Sequence, residues 1–274
     1  MIMSGIRRMV KLSQLISGLS FLLVLYSCSE PKDGCLDEQA LNFEVTADRN
    51  CCCEYPGLMI DLDFRWDTLD FQLNQTFVIG ADSVRFTALE GFLSDFALQS
   101  STHQGAFRVE ELLVIDSPSI SIIDDVIRFM PGESATSTGT FIHPGIQFDS
   151  LSFSFGLPAH LESASPELFP VGHPVRSGVP VLLDTMSQSM ADFAIHFTSI
   201  EDPDLSREVL LRFSENVFLE NGVTLLQVTG FDAEIHVLLD VFILLNGVDI
   251  WEDTDEDVAE KVAANARMAF QVLK

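Results

Sequence analysis

Apolar and polar positions alternate along most of the chain after about residue 57. Ile60, Leu62 and Phe64, for example, are separated by two aspartates. The same period runs through 150–155, 193–197, 209–213 and 235–241, and further candidate strands cover 84–99, broken near Gly91, 107–115 and 223–229. Because successive side chains of a strand point to opposite faces, this period predicts half-buried strands. Turn residues without helical patterns separate them, which favours an all-β fold, an antiparallel β-sandwich of jelly-roll type.

The end of the chain has a helical period instead. Thr254 and Asp257 are spaced as in a capping box, and apolar residues then recur on one face up to Phe270. We therefore expect one C-terminal amphipathic helix that closes the sandwich. The acidic run 252–257 lacks the central glycine and the twelfth-position glutamate of a calcium loop, so a solvated helix start is favoured over an ion site.

The N-terminus is typical of an exported protein. Arg7, Arg8 and Lys11 precede an apolar run, 19–25, that is well short of the roughly 20 residues of a spanning helix. The sequence Leu-Tyr-Ser-Cys ending at Cys28 resembles the lipobox of bacterial lipoproteins. The resemblance implies a signal peptide over 1–27 and an acylated Cys28. Glu30 and Asp33, just after Cys28, favour a location in the cell envelope, lipid-anchored to the outer membrane, periplasmic or surface-exposed. A plain secreted protein and a membrane anchor are the alternatives.

Composition limits the partners. The chain has 41 acidic and 15 basic residues, a formal net charge of −26, and 47% apolar residues. Nucleic acid is excluded as a partner because phosphate backbones are held by clustered Lys and Arg. The apolar content is that of a chain that folds, because it supplies enough buried surface to offset the chain entropy.

Four cysteines remain after Cys28, and they allow three pairings. The segment from Gly34 to Phe43, with Cys53-Glu54-Tyr55, resembles a GCxDxxAxNY…CxY module of bacterial surface proteins. The resemblance implies a Cys35–Cys53 disulfide in a spacer over 28–56. Cys51 and Cys52 exceed the pattern and either form a vicinal bridge or stay free. A thiolate metal site there is disfavoured, since three consecutive cysteines are poorly spaced to surround an ion.

From about residue 58 to the end, the chain resembles the MbnP-like family of exported β-sandwich proteins, which includes methanobactin-associated and MopE-type copper binders. The match is carried by Leu-Glu-Gly-Phe-Leu-Ser-Asp-Phe-Ala-Leu at 89–98, Leu-Val-Ile-Asp at 113–116, Ser-Leu-Ser-Phe-Ser-Phe-Gly-Leu-Pro at 150–158, His173-Pro174, Leu-Asp-Val at 239–241 and the closing helix. It implies an MbnP-like β-sandwich domain over 57–274.

The same resemblance implies copper as the cofactor, held for metal acquisition or homeostasis. Among the family's donors, His173 falls on a matched motif, and His160 is added because it lies in the same loop region. Met186 or Met190 would supply a soft third ligand for Cu(I). The family's MxWxW motif has no tryptophan here, since Trp66 and Trp251 lie elsewhere. For His173, a loop residue hydrogen-bonded near Pro174 is the alternative.

His196 and His236 are the other histidines of interest. Both lie opposite the apolar phase of their strands, so they are either a metal pair on one outer face or two unrelated surface residues. No nucleophile elbow, HExxH or phosphate loop is present, and we expect no enzyme activity. A hydrolase, with no nameable nucleophile, and a metal-free interaction module using the 159–189 loop are the alternatives. A metal-handling or outer-membrane protein is the expected partner.

Overall fold

The computed structural model describes residues 30–108, 112–115, 120–123, 125–158, 161, 165–185, 189–213, 215–219 and 223–273. These residues form two compact units, the first of 30–37 and Asn42–Cys53, the second of Glu38–Leu41 and 54–273. The predicted signal peptide and Cys28 lie outside the described residues. Within the described ranges, no helix combines the length and apolarity required to cross a bilayer.

Most of the regular structure is strand. In chain order the strands are β1 (Asp33–Gly34), β2 (Arg49–Asn50), β3 (Gly57–Trp66), β4 (Leu69–Asp70), β5 (Thr76–Ile79), β6 (Asp82–Ser100), β7 (His103–Arg108), β8 (Leu112–Ile115), β9 (Ile120–Ile123), β10 (Ile127–Phe129), β11 (Thr136–Thr140), β12 (Gln147–Phe148), β13 (Ser150–Phe155), β14 (Leu183–Asp184), β15 (Ser189–Met190), β16 (Phe193–Ser199), β17 (Ser206–Leu211), β18 (Glu215–Leu219), β19 (Leu225–Leu226), β20 (Ala233–Asp240) and β21 (Phe270–Val272). The helices are α1 (Pro174–Ser177), α2 (Val179–Leu182), α3 (Val241–Leu244) and α4 (Asp255–Ala269), with a 3₁₀ turn at Pro166–Leu168.

The strands of the second unit form two main sheets. One has eight strands, in the order β17-β16-β6-β13-β18, with β5, β7 and β10 also paired to β6. The other has five strands, in the order β11-β3-β20-β21, with β4 paired to β3. The predicted all-β sandwich is confirmed. One pair differs from the antiparallel prediction, because β20 runs parallel to β3 over its full length. Alternation sets which face a side chain occupies but not the direction of its strand.

Phenylalanine rings join the two sheets. Phe64 of the five-stranded sheet lies 6.0 Å from Phe129 of the eight-stranded sheet, measured between ring centroids. Phe153 and Phe270 make a second contact of this kind at 5.1 Å, edge to face. Such rings bury large apolar areas and prefer tilted or edge-on contacts. The hydrophobic effect across this layer therefore holds the sandwich together.

Three predicted strands have different bounds. The strand predicted to break near Gly91 is continuous as β6, because Gly91 allows Phe129 and Phe193 to pack where a side chain would stand. The segment predicted over 107–115 contains two strands, since β7 ends at Arg108 and β8 begins at Leu112. In the segment 223–229, the described strand is the two-residue β19.

The C-terminal helix forms as predicted. Thr254 Oγ1 accepts from the backbone N–H of Asp257, and the Asp257 carboxylate accepts from Thr254 N–H in return, so α4 begins with a capping box. Side-chain hydrogen bonding to Thr254 lowers the pKa of Asp257. The buried face of α4 carries Val258, Val262, Ala266 and Ala269. The acidic run therefore starts a helix and suits the positive end of its dipole.

The first unit contains the predicted Cys35–Cys53 disulfide, which is confirmed, with the two Cα atoms 4.9 Å apart. Strands β1 and β2 pair in parallel beside it, with Asp33 opposite Arg49. An exposed ion pair joins the side chains of these two residues at 2.8 Å. The disulfide and the two short strands together organise a segment that has few buried apolar residues of its own.

Candidate metal centre

The parallel pairing of β3 and β20 brings three metal-binding side chains to one place on the five-stranded sheet. Asp61 of β3 stands directly opposite His236 of β20. Glu234 precedes His236 by two residues, so the pleat turns both side chains to the same face. Their neighbours Ala233, Ile235 and Val237 are buried, which shows that this face is the outer one. The alternation that fills the core therefore also assembles the polar group.

Of the His, Cys, Asp and Glu residues that the structure describes, these three form the one group whose possible ligand atoms all lie within 4.8 Å of one another. His236 Nδ1 is 2.9 Å from Asp61 Oδ2, and His236 Nε2 is 3.9 Å from Glu234 Oε1. The side chain of Asp61 is 30% exposed and that of His236 51%. We call Asp61, Glu234 and His236 the β3–β20 triad.

The triad offers one imidazole nitrogen and two carboxylate oxygens. His236 Nδ1 and Asp61 Oδ2 are 2.9 Å apart, an ordinary hydrogen-bond distance, and a bound ion would replace this contact. Nitrogen and oxygen donors suit Cu(II), and the affinity of such donors peaks at Cu(II) among first-row divalent ions. The triad has no thiolate or thioether, the donors that select Cu(I).

A cavity of about 370 Å³ opens beside the triad. Glu234 and His236 form part of its wall, and the other lining residues are mostly apolar, namely Val223, Thr224, Leu225, Ile235, Val272 and Leu273. An ion held by three protein ligands keeps coordination positions for water or a further ligand. The cavity leaves space on that side of the triad.

The histidines predicted as copper ligands lie elsewhere or outside the described residues. His173 is the N-cap of α1, where its Nδ1 accepts from the backbone N–H of Val175 at 3.2 Å. Its ring stacks on Phe169 with centroids 4.5 Å apart. These contacts fit the alternative role of His173 as a hydrogen-bonded loop residue beside Pro174, and its role as a ligand stays a prediction. His160 lies outside the described residues.

Of the two methionines considered as soft ligands, one is buried and the other is not described. Met190 is 1% exposed and packs with Phe92 and Leu182 in a second hydrophobic cluster beside the sandwich core. Met186 lies outside the described residues. The stretch matched to the copper family's tryptophan motif continues into Phe193, which is fully buried. That stretch therefore fills the interior where the structure describes it.

Two other described histidines, His143 and His196, do not join the triad. His196 belongs to β16 of the eight-stranded sheet, where its Nε2 is 3.2 Å from Glu208 Oε1, so it does not share a sheet face with His236. His143 packs edge-on between the rings of Phe107 and Phe141, and burial lowers its pKa. His196 and His236 are thus unrelated surface residues, the second of the two predicted alternatives.

Sequence reasoning missed the triad because its members are far apart in the chain. Glu234 and His236 carried a local signal, an acid and an imidazole two positions apart on the polar phase of a strand. Asp61 could not be added, because 175 residues separate it from His236 and only the register of β3 against β20 joins them.

Fold and site together define the chain as an all-β sandwich with a candidate metal centre of one histidine and two carboxylates. No family model and no curated protein sequence matches it. Among solved structures, it is similar to MbnP from Methylosinus trichosporium, with a TM-score of 0.45 and 9% sequence identity over 70% of this chain and 78% of that chain. A likeness at this level says nothing about metal ligands.

Proposed function

We propose that the chain is a cell-envelope lipoprotein, anchored through Cys28, whose β-sandwich binds Cu(II) at the β3–β20 triad. The observation that carries the proposal is the convergence of an imidazole and two carboxylates from adjacent strands within 4.8 Å. The role is binding and delivery rather than catalysis. Delivery to a metal-handling or outer-membrane partner suits the exposed position of the triad, because a partner's donors can reach it.

The net charge supports cation capture. A chain with a formal charge of −26 attracts divalent cations from solution, and the effect weakens as salt is added. Charge alone does not select copper, since exposed carboxylates attract any cation. Selection comes from the imidazole of His236 and from the order of divalent-ion affinities.

An ordinary surface ion pair between Asp61 and His236 is the competing explanation of the triad. Calorimetric titration with Cu(II), Zn(II) and Ca²⁺ distinguishes the two. The proposal predicts one Cu(II) per chain, weaker Zn(II) binding and no comparable Ca²⁺ binding. His236→Ala should weaken Cu(II) binding about 100-fold, because removing a ligand costs at least as much as removing a residue that orients one.

Two matched variants complete the experiment. His196→Ala removes an imidazole from the other sheet and should leave Cu(II) binding unchanged. His173→Ala tests the ligand predicted from the sequence, and on the present proposal it also leaves the affinity unchanged. If His173→Ala abolishes Cu(II) binding and His236→Ala retains it, the copper site lies in the 159–189 loop. A chain that binds neither Cu(II) nor Cu(I) would contradict the copper role.

A metal-free interaction module is the second candidate, and a specific observation favours it. Leu168 is 51% exposed and Val171 is 86% exposed, both in the 159–189 loop. Such residues mark a partner contact where they form one contiguous patch, whereas single exposed apolar residues are ordinary. A photo-crosslinking residue at Val171 should then give one discrete product in intact cells, and the same residue at Val78, 56% exposed on β5, should give none. Equal products at both positions would count against this candidate.

A further inference from the structure

Cys51 and Cys52, the two described cysteines outside the Cys35–Cys53 disulfide, face each other. The Sγ atoms of Cys51 and Cys52 are 2.7 Å apart. Cys51 is half-buried and Cys52 is exposed, so a reagent from solvent can reach the pair. Their closeness follows from the backbone, since Cys52 has a positive φ of 57° that non-glycine residues rarely adopt.

The backbone is fixed on both sides of the pair. The N–H of Cys51 donates to Gly34 O at 3.0 Å. The side chain of Asn42 donates to Cys52 O at 2.7 Å. The following residue, Cys53, is bound covalently to Cys35. The two thiols are therefore held together by contacts that do not depend on a bond between them.

With Cys35 and Cys53 bonded to each other, Cys51 and Cys52 are the two free cysteines among the described residues. A structural disulfide is typical of proteins in an oxidising compartment. Two adjacent thiols that solvent reaches are open to thiol–disulfide exchange with an oxidant in such a compartment.

We propose that Cys51 and Cys52 form a vicinal disulfide that is reduced before the Cys35–Cys53 bond. The two thiols lose two protons and two electrons as the S–S bond forms, and the electrons reduce the disulfide of a thiol–disulfide oxidant to a dithiol. A thiolate first attacks the oxidant's disulfide, and the neighbouring cysteine then displaces the oxidant. The hydrogen bond with Cys52 raises the pKa of Cys51 above its ordinary value.

The order of reduction follows from geometry and exposure. Consecutive Cα atoms are about 3.8 Å apart, below the about 4.4–6.8 Å that disulfides usually span, so a vicinal bridge is strained. Strained and exposed disulfides are the labile ones. Cys35, in contrast, is 1% exposed, and its partner bond has an ordinary Cα separation of 4.9 Å.

Thiol trapping and peptide mapping test the proposal on the full chain isolated from cells. Cleavage after Lys32, Arg49 and Arg65 gives two peptides, one with Cys35 and one with the three consecutive cysteines, while Cys28 falls in another peptide. Alkylation at isolation should leave the two peptides linked and Cys51 and Cys52 unlabelled. The mass of this pair should be lower by two hydrogen atoms than that of two free thiols. A graded series of dithiol reductant should then expose Cys51 and Cys52 to label at a concentration at least about tenfold lower than it exposes Cys35 and Cys53.

Alkylation of both Cys51 and Cys52 at isolation would overturn the proposal, and so would a bond from either one to Cys35 or Cys28. Cys51→Ser is the matched control. It should leave Cys52 open to alkylation while the Cys35–Cys53 link persists, which shows that the unit still folds. This experiment does not involve copper, so its outcome is independent of the metal proposal.

Discussion

Asp61 and His236 stand opposite each other on parallel strands, with Oδ2 and Nδ1 2.9 Å apart. An ion pair this exposed contributes little to stability, typically about 0–1 kcal/mol. In the proposed Cu(II) site, its position beside Glu234 serves ligand binding rather than fold stabilisation. Stability and metal affinity should therefore respond differently to the same substitution.

Asp61→Asn tests whether stability and metal affinity respond differently. The free energy of unfolding should change by less than about 0.5 kcal/mol, since an exposed pair is lost, while the Cu(II) dissociation constant should rise at least about tenfold. Denaturant titration and calorimetry measure the two quantities. Asp63→Asn is the control, because it removes the same charge two positions along β3 and should leave the affinity nearly unchanged. Equal effects of both variants on affinity would show that net charge alone attracts the ion.

Asp240 is predicted to be a stability determinant. Its side chain is 2% exposed, pairs with Arg65 at 3.0 Å, and accepts from the N–H groups of Phe242 and Ile243 at the start of α3. Asp240→Ala removes the helix cap and leaves Arg65 without this partner. We expect a loss of about 2–4 kcal/mol, measured by denaturant unfolding. Asp240→Asn keeps an acceptor and should lose about half as much, and an alanine variant as stable as the wild type would refute the role.

Glu90 is predicted to destabilise the fold at neutral pH. It is 7% exposed, its Oε2 has no hydrogen-bond partner among the described residues, and Arg128 Nη1 lies 3.5 Å away. Burial raises the pKa of Glu90 above its ordinary value, with Arg128 opposing the shift. The folded state then holds a proton more tightly than the unfolded state, so stability falls as pH rises through the folded-state pKa.

Glu90→Gln removes that dependence. The variant should be more stable than the wild type at pH 7, and the difference should disappear below about pH 4, where both side chains are neutral. Unfolding curves at a series of pH values measure it. Glu133→Gln, which alters the exposed partner of the same Arg128, should bring no gain. A less stable Glu90→Gln variant at pH 7 would mean that pairing with Arg128 outweighs desolvation.

Gly91 is required by packing. A Cβ atom at this position would stand 2.5 Å from Phe129 Cζ and 2.9 Å from Phe193 Cδ2. Gly91→Ala should therefore destabilise the chain by about 1–3 kcal/mol, the usual cost of overpacking a core. Adding Phe129→Leu removes the closest atom, so the double variant should cost less than the sum of the two single changes. Simple additivity in thermal unfolding would contradict this explanation.

The sequence predicted the parts of the fold that depend on local pattern. The strand around Ile60 and the capped helix that begins at Thr254 follow from periodicity and capping residues, which short segments specify. Pairing between distant segments does not follow from local pattern, because alternation is the same for parallel and antiparallel neighbours. The β3–β20 pairing was therefore missed, and with it the meeting of Asp61 and His236. For the same reason, the sequence left open whether His196 and His236 share a face.

A crystal of the full chain grown with Cu(II) tests the central claim most directly, through anomalous scattering at the copper absorption edge. The account predicts one strong peak within bonding distance of Asp61, Glu234 and His236, and its absence from crystals of the His236→Ala variant. A single peak beside His173, or a copper-free triad in crystals that hold copper elsewhere, would contradict it.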